Sequence, residues 1–140
     1  MAIRDTIERQ LTFEAPPEQV WAALTEPGEI ARWFGTAAKL DLRPGGEGVF
    51  SWNEIAVPVT VETVEPLRRF AYRWVPGQVQ EGGPTTLVEF TLDEVPEGTR
   101  LTVVESGFAA LPEASYEDNS GGWDQELGEL RDYLLGKAAA

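Results

Sequence analysis

The sequence predicts an α+β domain in which one antiparallel sheet is covered on its apolar face by a long C-terminal helix. Three observations carry this reading. Between residues 38 and 106, short apolar–polar alternations are separated by turn residues, the pattern of strands joined by hairpins. A single earlier strand is followed by two short proline-bounded helical segments. Near the end, Trp123, Leu127, Leu130 and Leu134 recur at i, i+4, i+7 and i+11, one stripe of an amphipathic helix.

Taken in order, residues 3–13 place Ile3, Ile7, Leu11 and Phe13 on alternate positions. The first three also fit helical spacing, but Thr12 and Phe13 favour a strand. Pro16 and Pro17 break the chain, and Pro17 suits the first turn of a helix. Val20, Trp21 and Leu24 then share a helical face that must end before Pro27. A second short helix over residues 28–33 presents Ile30, Trp33 and Phe34, with Gly35 as its stop. Strands follow at 38–42, 48–52, 57–64, 69–74, 86–92 and 99–106, with the clearest alternation at Val57/Val59/Val61, Phe70/Tyr72/Trp74 and Val88/Phe90/Leu92. Residues 108–115 read as a loop, and the last helix ends at Gly136, leaving residues 137–140 as a frayed tail to a single domain of residues 1–136.

Composition excludes much chemistry. With 24 acidic residues against 11 basic, the net charge is −13, and two lysines and nine scattered arginines offer no face for phosphate. Nucleic acid is therefore not an expected partner, nor is an anionic membrane surface. The chain has no cysteine and no histidine, which removes disulfides, thiolate and imidazole catalysis and nearly all zinc chemistry. No metal and no cofactor is expected. With no apolar leader segment at the start and no run long enough to span a bilayer, a soluble cytoplasmic protein without membrane insertion is expected.

One helix about 10 Å wide cannot cover a seven-stranded sheet. Either the short helices fill the remainder, or a cavity is left between sheet and helix. Phe50, Trp52, Trp74, Phe90 and Trp123 are the large residues able to line it, with Val59, Tyr72 and Leu127 as further candidates. Glu89 and Glu105 lie on strands. Glu89, between Val88 and Phe90, is expected to face water. Glu105 is the candidate for an inward carboxylate, raised in pKa by desolvation and fit to act as a base or ligand acceptor. Arg73 is expected to be solvated, while the Tyr72 hydroxyl is placed to bond a ligand or a backbone group. Arg43-Pro-Gly-Gly-Glu-Gly48 lacks the following lysine and helix of a phosphate loop and reads as a hairpin turn. Glu117, Asp118 and Asn119 do not match a calcium loop and read as a loop before the last helix.

Residues 13–35 (FEAPPEQVWAALTEPGEIARWFG), 61–74 (VETVEPLRRFAYRW), 98–108 (GTRLTVVESGF) and 121–134 (GGWDQELGELRDYL) together resemble the family related to the C-terminal domain of the activator of Hsp90 ATPase. That family lies in the START-like, Bet v 1-like superfamily. The resemblance covers essentially the whole chain and implies the helix-grip fold: a curved seven-stranded antiparallel sheet wrapped around a long C-terminal helix, in the order β-α-α-β6-α. Superfamily members bind lipids or polyketides, cyclise, sequester drugs or act as co-chaperones, and fold alone does not choose among these. The N-terminal domain of the eukaryotic activator has no counterpart in this sequence, so its full contact with Hsp90 is not expected.

The first functional expectation is a non-enzymatic protein that holds a hydrophobic or amphipathic small molecule between sheet and helix. The alternatives are a protein-interaction module, as a homodimer or with an Hsp90-type chaperone, and a carboxylate- and tyrosine-based cyclase or hydrolase.

Overall fold

The computed structural model describes residues 4–77, 79–80 and 82–139. Strand β1 (Thr6–Phe13) opens the chain, and Ile3 of the expected strand lies outside the described residues. Pro16 and Pro17 then turn it into helix α1 (Pro17–Thr25), with Pro17 in its first turn. Helix α2 (Pro27–Trp33) follows with only Glu26 between them. The Trp33 indole N–H donates to the Ala23 carbonyl at 2.7 Å and ties the two helices together.

Gly35, at φ +90°, admits the chain to the sheet: a Cβ there would lie 2.3 Å from the Ser51 carbonyl oxygen. Six strands follow: β2 (Ala37–Leu40), β3 (Glu47–Trp52), β4 (Ile55–Glu65), β5 (Arg69–Trp74), β6 (Thr86–Val95) and β7 (Gly98–Ser106). Together with β1 they form one antiparallel sheet in the order β1-β7-β6-β5-β4-β3-β2, so the first strand closes against the last. A bulge lies in β4 between Val61 and Thr63. Residues 41–46 turn β2 into β3; of the Arg43–Gly48 stretch expected as a hairpin turn, Glu47 and Gly48 already pair within the sheet.

Register decides which residues meet. Ile7, Glu105, Val88, Tyr72 and Val61 stand opposite one another across five strands, and Val59, Trp74 and Thr86 form a row beside them. Every member of both rows is buried. Outside this face, Arg73 pairs with Glu62 and Arg69 with Glu89, both on exposed flanks.

The last helix differs from expectation at both ends. A short 3-10 helix (Phe108–Ala110) and Pro112 lead directly into α3 (Glu113–Ala139), so Glu117, Asp118 and Asn119 are helical rather than loop. Gly136 does not stop it. Lys137, one residue on, donates to Glu29 Oε1 at 2.6 Å, and the Tyr133 hydroxyl donates to the same oxygen at 2.9 Å. These contacts hold the final turn against α2 through Ala139; Ala140 lies outside the described residues.

The α1–α2 pair fills one end of the concave face, where Leu24, Ile30, Trp33 and Phe34 leave a void of only about 10 Å³ against Phe50, Tyr72 and Phe90. The other end is where space remains.

Candidate functional site

Four elements converge on that open end. Phe34, the residue after α2, stacks on Trp74 at 5.8 Å and on Trp123 at 5.6 Å, nearly parallel to both. Trp52 ends β3 and meets Phe34 edge-on at 5.1 Å. Trp74 ends β5, and Trp123 faces it from the middle of α3 at 6.2 Å. Four aromatic side chains thus bound a pocket of about 340 Å³, which reaches the surface past Ile55, 65% exposed at the β3–β4 turn. Asp118, Asn119 and Glu126, all on α3, supply its polar side chains. The volume lies at the small end of the range for ligand sites.

Behind the wall is Glu105, fully buried on β7. The Trp74 indole donates to its Oε2 at 2.8 Å and the Trp123 indole to its Oε1 at 2.7 Å. The Thr86 hydroxyl donates to Oε2, and the Asn119 amide donates to both oxygens at 3.1 and 3.0 Å. Asn119 also accepts from the Gly77 backbone N–H at 3.1 Å, fastening the loop after β5 to the helix. Glu105 thereby fixes two pocket-lining indoles by their polar edges. Its oxygens are engaged by these donors and it is not among the residues lining the pocket, so the geometry does not place it as a base in contact with a ligand there.

Of the residues expected at a cavity, Trp52, Trp74 and Trp123 line this pocket. Phe50, Val59, Tyr72, Phe90 and Leu127 do not: they are buried in the core beneath the short helices and the middle of α3. The physical reason is that α1 and α2 occupy the concave face over the central strands, so only strand ends remain open. The Tyr72 hydroxyl has no hydrogen-bond partner among the described residues. Burial, then the negative charges of Glu105 and Glu126, hold it well above the usual tyrosine range.

Phe34, Asn119 and Glu126 are among the pocket residues that the sequence does not mark as cavity-lining. Phe34 carries only a helix-packing signal in the sequence. Asn119 continues the Trp123 stripe one turn backward, a signal visible once the helix is begun at Pro112. Glu126 stands three residues after Trp123 on the same side of α3. Its carboxyl is raised to about 7 by partial burial and by Glu129, with the Trp52 indole acting in the opposite direction. One of its oxygens, Oε2, is buried with no hydrogen-bond partner among the described residues. Among those residues there is no group of side chains able to hold a metal, and no helix is long and apolar enough to cross a membrane.

Residues 14–135 match the family described as activator of Hsp90 ATPase homolog 1-like protein. A search of curated proteins found no match. Among solved structures, protein MLL2253 from Mesorhizobium loti aligns with a TM-score of 0.83 at 28% identity, covering 94% of this chain and 97% of that one. DynU16, from the dynemicin biosynthetic locus, aligns at 0.82 and 29% identity over 94% of this chain and 48% of its own. CalU16 from Micromonospora echinospora is 30% identical, with a TM-score of 0.71, over 96% of this chain and 77% of that one. The family match takes in both short helices, strands β2 to β7 and most of α3, on a helix-grip architecture shared at TM-scores of 0.71 to 0.83, and the chain belongs to the activator of Hsp90 ATPase homolog 1-like family.

Proposed function

We propose that this protein binds an apolar or amphipathic small molecule in the pocket between the ends of β3 and β5 and the N-terminal half of α3. The observation that carries this is the way the aromatic wall is held: Trp74 and Trp123 are both anchored through their indole N–H groups to one buried carboxylate. Both indoles also line the pocket, so the anchoring fixes part of its wall. For a binding site it is preorganisation, because side chains fixed before the ligand arrives need not be ordered by it. The place of DynU16 in a biosynthetic locus sets one structural relative beside small-molecule chemistry and supports the same reading.

The test is a titration followed by melting temperature and indole emission, using lipids, polyketide-like aromatics and hydrophobic drugs. A ligand at about a hundredfold over its dissociation constant adds about 2.7 kcal/mol to the native state, roughly several degrees in a domain of this size. Gly122 supplies the matching variant, since it lines the pocket and a Cβ built on it meets nothing within 4 Å. Gly122→Leu is expected to keep the helix and fill the space, abolishing both signals. A flat panel, or a Gly122→Leu protein that binds as well as the wild type, overturns the reading.

A further inference from the structure

We infer that the pocket is built for a cationic ligand, an amine or quaternary ammonium on an apolar body, with Glu126 as the group that receives the positive charge. This deepens the binding reading above and rests on it. Glu126 lines the pocket and keeps a buried oxygen, Oε2, without a partner among the described residues. A buried acceptor left unmatched is costly, and a ligand that supplies the missing positive charge removes that cost. Phe34, Trp52, Trp74 and Trp123 surround the same space, and the negative faces of aromatic rings attract cations. Asp118 adds a second carboxylate at the rim. No Lys or Arg is among the described residues that line the pocket, and the chain's net charge of −13 repels anions from its mouth. An uncharged ligand would satisfy the aromatic walls and leave Glu126 as it is; an anion would face two carboxylates.

The charge of Glu126 depends on its neighbours. Glu129 on the same helix disfavours ionisation, and Tyr72 on β5 is the buried group that senses the Glu126 charge from the sheet. Asp118 lines the same pocket from α3, whereas β3, β4 and the end of α2 present Trp52, Ile55, Val57 and Phe34, none of which titrates. Partial burial and Glu129 place the carboxyl near 7, so it takes on its charge across the neutral range. A cation that cannot itself titrate should therefore bind more tightly as pH rises from 6 to 8.

The experiment uses benzyltrimethylammonium and its uncharged carbon isostere, neopentylbenzene, each titrated against the protein at pH 6, 7 and 8 and followed by indole fluorescence. The expected result is tighter binding of the cation than of the isostere, with affinity rising with pH. Glu126→Gln should weaken the cation about tenfold, flatten its pH profile and leave the isostere unchanged. If the isostere binds as well as the cation, or Glu126→Gln leaves cation affinity and its pH profile intact, the inference falls while the pocket reading stands. If neither probe binds at any pH, the inference falls, and the pocket reading stands or falls on the lipid, polyketide and drug panel.

Discussion

Glu105 carries a carboxylate into a fully buried position where its partners are neutral donors: two indoles, a hydroxyl and an amide. Each of those donors would otherwise be desolvated without a partner. Removing the carboxylate therefore strands several groups at once, and Glu105→Ala is expected to cost about 4 kcal/mol or more in urea unfolding. Glu105→Gln keeps the shape and one acceptor oxygen but sets an NH₂ against N–H donors, so its loss should be roughly half as large. Indole emission should shift to the red in both, as Trp74 and Trp123 lose their anchors. A Glu105→Ala protein within about 1 kcal/mol of the wild type would show that the network is not what holds the wall. Part of this was legible beforehand. Thr99, Leu101, Val103 and Glu105 occupy alternate positions and all four are buried, but in the sequence Val104 beside Glu105 leaves the alternation there ambiguous. What period two does not reveal is which donors arrive from α3 and the end of β5, because those are brought by tertiary packing.

At the scale of elements, α3 holds four glycines in 27 residues: Gly121, Gly122, Gly128 and Gly136. None has an atom within 4 Å of where a Cβ would stand. Glycine in a helix interior costs about 0.8–1.0 kcal/mol relative to alanine, so Gly121→Ala and Gly128→Ala should each stabilise the protein by about that amount. The two sites lie far enough apart to add, and a double variant that gains nothing in denaturant midpoint would refute the expectation. The same glycines explain why this helix was the element whose limits were hardest to read. Gly121-Gly122 interrupts the helical pattern, and the preceding Pro112–Ser120 stretch presents Ser115 and Asn119 where an apolar stripe would continue. The strands were easier. The limits of β5 coincide with those its alternation predicts, and Phe70, Tyr72 and Trp74 are buried as that alternation requires. The pocket was less legible than the sheet, since whether an inward residue meets helix or open space depends on how far α1 and α2 reach across the concave face.

For the molecule as a whole, Glu126 makes stability depend on pH in a direction opposite to that of an ordinary surface carboxylate. Its folded pKa is about 7, against an ordinary value of 4.5, so between these values the folded state holds a proton that the unfolded state has released. Stability from this group is then fully present below about pH 4.5, falls as pH rises toward 7 and levels off above it. The full shift would correspond to about 3 kcal/mol, but Glu126 is partly exposed and solvent screening reduces this to about 1 kcal/mol. Glu29 works the other way and elsewhere. Burial raises its pKa, but the hydrogen bonds it accepts from Lys137 and Tyr133, together with its contact with Glu26, outweigh that and lower it, so its contribution is lost only as pH falls below the ordinary carboxylate range. The windows do not overlap, and the difference between wild type and Glu126→Gln isolates the first. Urea unfolding at pH 5 and pH 8 should find the two proteins nearly equal at pH 5 and the variant more stable by about 1 kcal/mol at pH 8. Equal stability at both values would mean that Glu126 ionises as freely in the fold as in the unfolded chain, and the protein would then have no stability cost to recover when a cation enters the pocket.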